Sequence, residues 1–340
     1  MIPQPRHRSG FSLVELLAVM AILSVLAGLS VAALAKAGRG NVLELAQRRC
    51  KAALGAARVN ARERGSPASL TLHPGDPAVM VLKLARDAAT LHFDDGGQLK
   101  TAAGRGHQAE LVQASLAAGG TVRDCVRLKS KSAVVFPALE QFAPHGGFRI
   151  VMDVEAAAEG GVGVLARHGT AFQFTREADG SLTLQLEIEG RQEVVKLATP
   201  KDAVPSGRWT RVEAGFDGTS AWIAVHRVVE ARKDLASADD PAGILCLARD
   251  GGEPELVRTT LGGGGFEGAL DEVRLVTTEE QESSTIEGSV IFDLQVPLTI
   301  TFDAEGRLDP RFHQAMLRIG LVTAEGTTTS LTLDPAGVIR

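Results

Sequence analysis

Cysteine is scarce in this chain of 340 residues, with three copies at positions 50, 125 and 246. No Cys-x-x-Cys or His-x-His spacing occurs, which excludes a disulfide framework and argues against a zinc site. One bridge between Cys125 and Cys246 would be feasible outside the cytoplasm, and the sequence leaves it open. We predict no metal and no other cofactor.

Aromatic residues are also few: the chain has no tyrosine and two tryptophans, Trp209 and Trp222. Sugar sites favour exposed aromatic platforms, whereas both tryptophans fall in or beside predicted strands and are interpreted as packing residues. The net charge of −5 is modest and acidic. It predicts no nucleic-acid partner, because such proteins carry a basic surface.

Charged residues are nearly absent from the segment that follows Gly10. Between Phe11 and Ala35 the only ionisable side chain is Glu15. A helix of this length would measure roughly 37 Å, enough to cross a hydrocarbon core of about 30 Å. The pattern therefore predicts a transmembrane helix over residues 11–35. A carboxylate inside such a helix is costly, so Glu15 indicates a functional role.

The residues around Glu15 form a recognisable pattern. A short basic leader ends at Gly10, and Phe11-Ser12-Leu13-Val14-Glu15 follows. This segment resembles the N-terminus of type IV pilins and type II secretion pseudopilins. The resemblance implies that residues 1–10 are a leader peptide and that a prepilin peptidase cuts after Gly10 and methylates Phe11. It assigns filament assembly to Glu15, whose carboxylate would lie beside the terminal amine of a neighbouring subunit. A paired buried charge is less costly than a lone one.

Two other interpretations of the N-terminus remain. An ordinary single-span anchor would require neither Gly10 nor Glu15. A cleaved secretory signal would fit the Ala-x-Ala pattern at residues 33–35, but such signals have a shorter apolar region without an internal acid. The pilin-like interpretation accounts for both residues. It places the chain in the bacterial inner membrane as a single-pass protein, with a cytoplasmic N-terminus before processing and a periplasmic or extracellular globular part.

Residues 36–65 are predicted to continue as an amphipathic helix that lies on a globular domain and ends at Gly65 and Pro67. Predicted strands follow at 69–73, 78–84 and 91–93, and again at 286–293, 298–303, 316–322 and 330–334. A long helix followed by a small antiparallel sheet resembles the H-type minor pseudopilins. On this basis we assign residues 66–110 and 280–340 to a pseudopilin β-domain, with residues 279–284 as a linker.

The block at 111–277 contains many short strands separated by Gly, Asp and Pro turns, which predicts a β-sandwich. Its predicted strands are 148–154, 163–167, 171–175, 182–188, 194–197, 210–215 and 221–229. The block resembles laminin-G-like, concanavalin-type jelly rolls through Gly207-Arg208-Trp209-Thr210-Arg211-Val212 and Gly265-Phe266-Glu267-Gly268-Ala269-Leu270-Asp271-Glu272-Val273-Arg274-Leu275. His226-Arg227 replaces the Asn-Gly or Asp-Gly pair that favours a tight hairpin, so no type I′ turn is expected there.

The predicted fold class is therefore α+β. It consists of a long N-terminal transmembrane helix, a small antiparallel pilin sheet and an inserted all-β jelly-roll sandwich.

The sandwich sequence gives little evidence for a catalytic or metal-binding site. Gly263-x-Gly265-x-x-Gly268 matches a dinucleotide-binding pattern, but a strand rather than a helix is predicted next. Glu267, Asp271 and Glu272 are the nearest carboxylates for glycoside hydrolysis, which requires two in a suitable geometry. Asp217, Asp250 and Asp271 are isolated acids without the spacing of a calcium loop. We predict that the protein is not an enzyme.

The predicted function is structural: a minor pseudopilin or pilin-like subunit of a type II secretion or type IV pilus system. Its predicted partners are other pilin-like subunits, the prepilin peptidase, the membrane and, for the sandwich, a secreted substrate or a glycan. The alternative is a membrane-anchored carbohydrate-binding or adhesive protein that never enters a filament.

Overall fold

The computed structural model describes residues 13–95, 98–101, 106–139, 142–159, 161–235, 245–246, 257–286 and 289–340. Gly10 and Phe11 lie outside these residues. Glu15 lies in the helix, but its side chain is not among those described. The described chain is mainly antiparallel β-structure, which confirms the antiparallel sheets of the predicted fold.

One α-helix, α1 (Leu13–Arg64), precedes the strands. In chain order the strands are β1 (Ala68–His73), β2 (Ala78–Leu91), β3 (Gln98–Thr101), β4 (Gly106–Gln108), β5 (Glu110–Val112), β6 (Ser115–Ala118), β7 (Asp124–Leu128), β8 (Ala133–Val135), β9 (Phe148–Ala156), β10 (Gly163–His168), β11 (Phe172–Arg176), β12 (Leu182–Leu186), β13 (Val195–Ala198), β14 (Thr210–Phe216), β15 (Ser220–Val225), β16 (Val228–Asp234), β17 (Thr259–Gly262), β18 (Gly268–Ile286), β19 (Val290–Phe292), β20 (Leu298–Phe302), β21 (Leu317–Thr323) and β22 (Thr328–Leu333).

The C-terminal half of α1 lies on the sheets with one face. Its buried side chains recur at three- and four-residue steps: Leu43, Ala46, Cys50, Leu54, Ala57 and Ala61. The helix ends where Gly65 adopts a φ of +57° and donates its N–H to Arg62 O, which suits a residue without a Cβ. Among the helical residues that the structure describes, none forms a stretch long and apolar enough to cross a membrane.

The largest sheet joins strands from the whole length of the chain, in the order β16-β15-β14-β9-β18-β2-β1-β20. Its two longest strands, β2 and β18, pair antiparallel from Val273 opposite Leu91 to Ile286 opposite Ala78. Residues 279–284 belong to β18, so the prediction of a linker there is wrong. Pairing of the backbone with β2 outweighs the low strand propensity of the Glu, Gln and Ser residues.

Two hydrophobic cores lie on this sheet. The first fills the space between the large sheet and a seven-stranded sheet ordered β13-β12-β11-β10-β17-β8-β5. It includes Phe148 and Phe172, whose rings stack with centroids 4.0 Å apart. The second lies between α1, the β1–β2–β20 end of the large sheet and the three-stranded β19-β21-β22 sheet, and it includes Leu54 and Phe302. Strands β2 and β18 contribute side chains to both cores.

The hairpin between β15 and β16 departs from the sequence-based expectation. Val225 pairs with Val228, so His226 and Arg227 alone form the loop. Their φ angles are +48° and +70°, and positive φ at both central residues is the mark of a type I′ turn. The expectation of no tight turn is therefore wrong. The flanking strands impose the conformation on residues that do not favour it.

Two histidines are buried in the β-structure. His168 Nδ1 lies 2.9 Å from Thr259 Oγ1, and His313 Nε2 accepts the Thr301 N–H at 3.1 Å. Burial lowers the pKa of His168 to about 4. Burial, and then the charge of Arg232, lower the pKa of His313 to about 4. Both histidines titrate near 6.5 when unfolded, so the free energy of unfolding falls as pH drops from about 6.5 to about 4.

We expect His313→Gln to make the protein less sensitive to acid. Glutamine retains an acceptor for the Thr301 N–H but does not titrate, so it removes a penalty on the order of 3 kcal/mol at pH 4. The measurement is the urea midpoint at pH 7 and pH 4.5. His145→Gln, at an exposed position, is the control. An unchanged pH dependence in His313→Gln would contradict the assignment.

Candidate functional site

The outer face of the large sheet, opposite the first core, carries a concentration of charged side chains. In β9 the residues at even positions from Phe148 to Val154 enter the core, whereas Arg149, Val151 and Asp153 point away from it. The same alternation turns Arg211 and Glu213 of β14 outward. Because a strand alternates its side chains with period two, three neighbouring strands combine their outward residues into one surface.

The register of the sheet brings specific outward residues side by side. Asp153 lies opposite Arg211, and Val151 lies opposite Glu213. On the other edge of β9, Val151 lies opposite Arg274 of β18. Strand β18 has a bulge between Asp271, which lies opposite Asp153, and Arg274. Glu272 lies in this bulge and has a φ of +48°. The bulge therefore adds Glu272 to the surface beside Arg274.

Arg211 and Asp153 form a two-point ion pair on this face. Arg211 donates from Nε and from Nη2 to the two carboxylate oxygens of Asp153, at 2.8 Å each. The hydrogen bonds to Asp153 raise the pKa of the Arg211 guanidinium. Parallel N–H···O bonds of this kind are the strongest arginine–carboxylate geometry. The charge of Arg211 is therefore neutralised within the sheet.

Glu213 is the centre of a second, more buried network. It accepts a hydrogen bond from Arg149 Nη2 at 2.9 Å, one from Trp222 Nε1 at 3.0 Å and one from Arg311 Nη1. Arg311 also donates to Asp309. Burial works against the charge of Arg311, but its bonds to Asp309 and the charge of Glu213 outweigh this and raise its pKa. The network joins the sandwich face to the loop that follows β20.

An aromatic contact completes this junction. Gly215 lies opposite Trp222 in the sheet, and a Cβ at Gly215 would come within 2.2 Å of the indole. The glycine thus leaves room for the indole to lie across β14 and reach Glu213. Phe312 packs edge-on against Trp222 with centroids 4.9 Å apart. The Arg311 guanidinium lies 5.3 Å from the Phe312 ring centroid.

Beside the junction lies an open cavity of about 340 Å³, which we call the arginine groove. It is lined by Thr90, Arg149, Val151, Arg211, Val212, Glu213, Arg227, Glu272 and Arg274. An adjoining cavity of about 550 Å³ shares Arg149, Arg227 and Arg274 and extends over the loop at 303–314. The three shared arginines form the boundary between the two cavities.

Part of the positive charge in the arginine groove has no counter-charge. Arg227 and Arg274 make no hydrogen bond or ion pair with any residue that the structure describes. Arg149 Nε is buried and has no partner within the same described ranges. Burial, and then the nearby charge of Arg149, lower the pKa of the Arg274 guanidinium. Unpaired guanidinium groups in a partly buried cavity are suited to binding an anion.

The three carboxylates considered for glycoside hydrolysis do not form a catalytic pair. Asp271 is buried and accepts hydrogen bonds from Thr121 N at 2.7 Å and from Glu272 N at 2.8 Å, so it stabilises a loop and the bulge. Glu267 precedes β18 rather than sharing a strand face with Asp271. Glu272 Oε1 lies 2.8 Å from His92 Nδ1 and lines the arginine groove.

The other candidates from the sequence are structural. Asp217 accepts hydrogen bonds from the backbone of Thr219 and Ser220 in a turn. Residues 263–267 form the loop before β18, so the dinucleotide pattern has no helix behind it. Asp250 lies outside the described residues. In the described ranges no three His, Cys, Asp or Glu side chains are grouped to hold a metal. All three cysteines are free, which excludes the Cys125–Cys246 bridge in this structure.

The N-terminus matches a known sequence motif. Residues 5–31 match the model of the prokaryotic N-terminal methylation motif. The chain carries this motif. The match confirms the resemblance to pilin-like N-termini, and the chain combines this N-terminus with a β-sandwich. No curated protein matches the chain.

Solved structures resemble the β-rich part at low identity. Domain 4 of AbnA, an extracellular GH43 arabinanase from Geobacillus stearothermophilus in complex with arabinotriose, covers 58% of this chain and 95% of its own, with 15% identity and a TM-score of 0.41. The CBM40 of Ruminococcus gnavus IT-sialidase, bound to α2,3-sialyllactose, covers 46% and 91%, with 12% identity and a TM-score of 0.34. The binding domain of botulinum neurotoxin DC in complex with SialylT covers 58% and 48%, with 9% identity and a TM-score of 0.37. Nothing about ligands follows from likenesses of this size.

Our sequence interpretation missed the arginine groove. Arg149 and Arg274 occur within predicted strands, and the alternation of charged with apolar residues in each strand is the signal that marks an outward position. The order of the strands in the sheet, which brings β14, β9 and β18 together, is not encoded in any local pattern. Arg227 was noted only as a turn residue.

We expect Glu213→Gln to destabilise the protein by about 3 kcal/mol, because it leaves the part-buried Arg149 and Arg311 without their shared carboxylate. The measurement is urea unfolding of the full chain in detergent, followed by tryptophan fluorescence, since Trp222 contacts Glu213. Glu230→Gln, at an exposed position on β16 of the same sheet, should change stability by less than about 0.5 kcal/mol. Equal effects of the two substitutions would argue against the network.

Proposed function

We propose that the protein is a pilin-like subunit of a bacterial cell-envelope filament, a minor pseudopilin or pilin of a type II secretion or type IV pilus system. The observation that carries this proposal is the methylation motif at residues 5–31, which leads into α1. The far end of α1 packs into the second core. One helix would thus join the processed terminus to the globular part, as a filament subunit requires.

The exposed side chains of α1 support assembly or membrane contact. Seven large apolar side chains between residues 13 and 25 are exposed: Leu13, Leu17, Val19, Met20, Ile22, Leu23 and Val25. A contiguous apolar surface of this kind is typical of a site that contacts lipid or other proteins. We propose that residues 11–35 anchor the subunit in the inner membrane and then pack among the helices of other subunits.

We propose that the globular part consists of a pseudopilin β-domain, formed by residues 66–110 and 280–340, and an inserted sandwich at 111–277. The sandwich is the head that contacts a secreted substrate, another subunit or a glycan. The second core supports a separate unit built on residues 68–84 and 286–333, whereas Ala89, Leu91, Phe93 and Ala109 pack in the first core with the sandwich. The head binds a partner and does not catalyse a reaction. This role is supported by Asp271 and Asp217, two candidate acids whose carboxylates accept hydrogen bonds from the backbone of Thr121 and Thr219.

The second candidate function is a membrane-anchored carbohydrate-binding or adhesive protein outside any filament. The arginine groove would suit such a protein equally well, because a ligand site requires no assembly. The two candidates differ in the role of the N-terminus. A plain anchor has no use for cleavage after Gly10 or for the carboxylate of Glu15.

Processing is the first test. We expect the mature chain to begin with N-methylated Phe11, because the methylation motif spans the Gly10–Phe11 bond. Mass spectrometry of the protein from cells with a prepilin peptidase should show loss of residues 1–10 and the mass of one methyl group. Cells without the peptidase provide the control. An intact Met1 or a start at Lys36 in peptidase-containing cells would refute the pilin-like assignment.

Glu15 is the second test. We expect Glu15→Val and Glu15→Ala to leave expression, membrane insertion and cleavage intact but to reduce incorporation into filaments. The reason is that a terminal amine entering a water-poor helix bundle needs a carboxylate partner. The measurement is cross-linking to partner pilins in intact cells. Glu44→Ala is the control, since Glu44 is paired within the helix with Arg48. Normal incorporation of both Glu15 variants would favour the anchored binding protein.

A further inference from the structure

The charges on the side chains that line the arginine groove are not all paired; Asp271 lies outside this lining and is held by Thr121. Arg211 is paired with Asp153, Arg149 with Glu213, and Arg311 with Asp309. These three pairs leave two other arginines in the lining, Arg227 and Arg274, against one other acid, Glu272. Within the lining one positive charge is therefore left over, and of the two unpaired arginines Arg274 is half-buried whereas Arg227 is exposed.

We propose that the arginine groove binds an acidic saccharide through one sugar carboxylate, with Arg274 and Arg149 as the principal contacts. The inference rests on the proposed function only in assigning ligand contact to the head. It requires neither cleavage after Gly10 nor assembly through Glu15. Failure of ligand binding would therefore leave the processing and incorporation tests unaffected, and the reverse also holds.

The geometry favours a carboxylate of single charge. Arg149 donates to Glu213 through Nη2, and 24% of its side-chain surface remains exposed for a ligand in the cavity. The unpaired guanidinium of Arg274 lines the same cavity and bears on Arg149 electrostatically. A monoanion between them balances the surplus charge. A dianion such as phosphate would bring a second negative charge towards Glu272, which lines the same cavity.

The position of the groove favours a sugar over a peptide. It lies on the faces of β14, β9 and β18, each of which is already paired on both sides. Extended peptides are commonly bound by adding a strand to a free sheet edge, and a sheet face offers no backbone groups for this. A ligand on this face is therefore bound by side chains alone. The cavity of about 340 Å³ falls within the range of small-ligand sites, roughly 300–1,000 Å³.

The experiment is calorimetric titration of the full-length protein in detergent at low salt with sodium D-glucuronate. D-Glucose is the matched neutral sugar, and inorganic phosphate and a short acidic peptide are the competing anions. We expect glucuronate to bind and the other three to bind at least about tenfold more weakly, consistent with a charge-assisted contact. Binding should weaken as salt rises, because these charges are partly exposed.

Two substitutions should move the affinity in opposite directions. Arg274→Gln should weaken glucuronate binding about tenfold by removing one charge-assisted contact. Glu272→Gln should strengthen binding, because it removes a negative charge from the lining that would repel the bound carboxylate. Arg274 holds no ion pair in the described chain, so its loss should leave the unfolding midpoint unchanged. Arg167→Gln, an exposed strand arginine on the opposite sheet, is the control for nonspecific charge and should bind as the wild type does.

Several outcomes would overturn the proposal. These are equal binding of glucose, tighter binding of phosphate or peptide than of glucuronate, and equal weakening by Arg167→Gln and Arg274→Gln. Weaker binding in Glu272→Gln would also overturn it, because it would make the acid a contact rather than a repelling charge.

Discussion

The antiparallel pairing of β2 with β18 is the constraint on which the rest of the structure depends. The two strands remain paired from Leu91 opposite Val273 to Ala78 opposite Ile286, a span that passes from one hydrophobic core to the other. A loop connection at this point would allow the two parts to move independently. A continuous sheet does not, because every step of the ladder would have to break. The orientation of the sandwich relative to α1 is therefore fixed by backbone hydrogen bonds.

The network around Glu213 reinforces this constraint from the side chains. It connects Arg149 of β9, Trp222 of β15 and Arg311 of the loop after β20 through one carboxylate. Removing these charges from water is costly, so the network need not add net stability over an apolar contact. Its effect is on geometry. The sheet pair Arg149–Glu213 and the loop pair Arg311–Asp309 are each neutral by themselves. The hydrogen bond from Arg311 to Glu213 joins the two pairs, and it forms only when the loop lies on the sheet as observed.

Sequence reasoning found the parts of this fold that have local signals. The buried spacing of α1 from Leu43 to Ala61, the hairpin of β1 and β2, and the repeated strands of the sandwich all follow from periodicity and turn residues. It failed where a distant segment decides the outcome. The polar stretch at 279–284 becomes strand because β2 lies beside it, and His226-Arg227 forms a tight turn because β15 and β16 pair up to it. The arginine groove requires three strands whose adjacency is set by topology, so it could not be predicted from any one of them.

Arg149 connects the arginine groove to the Glu213 network. Arg149 is at once a member of the Glu213 network and a wall of the arginine groove, and the adjoining cavity is completed by the loop that Arg311 holds in place. A carboxylate bound at Arg149 and Arg274 would contact the arginine that Glu213 holds, while the residues that line the groove all belong to the sheet and its hairpin. Any ligand that binds the folded arrangement alone stabilises it. Occupation of the groove would then stabilise the folded arrangement of β9, β14 and β18, and ligand contact and the Glu213 network share Arg149.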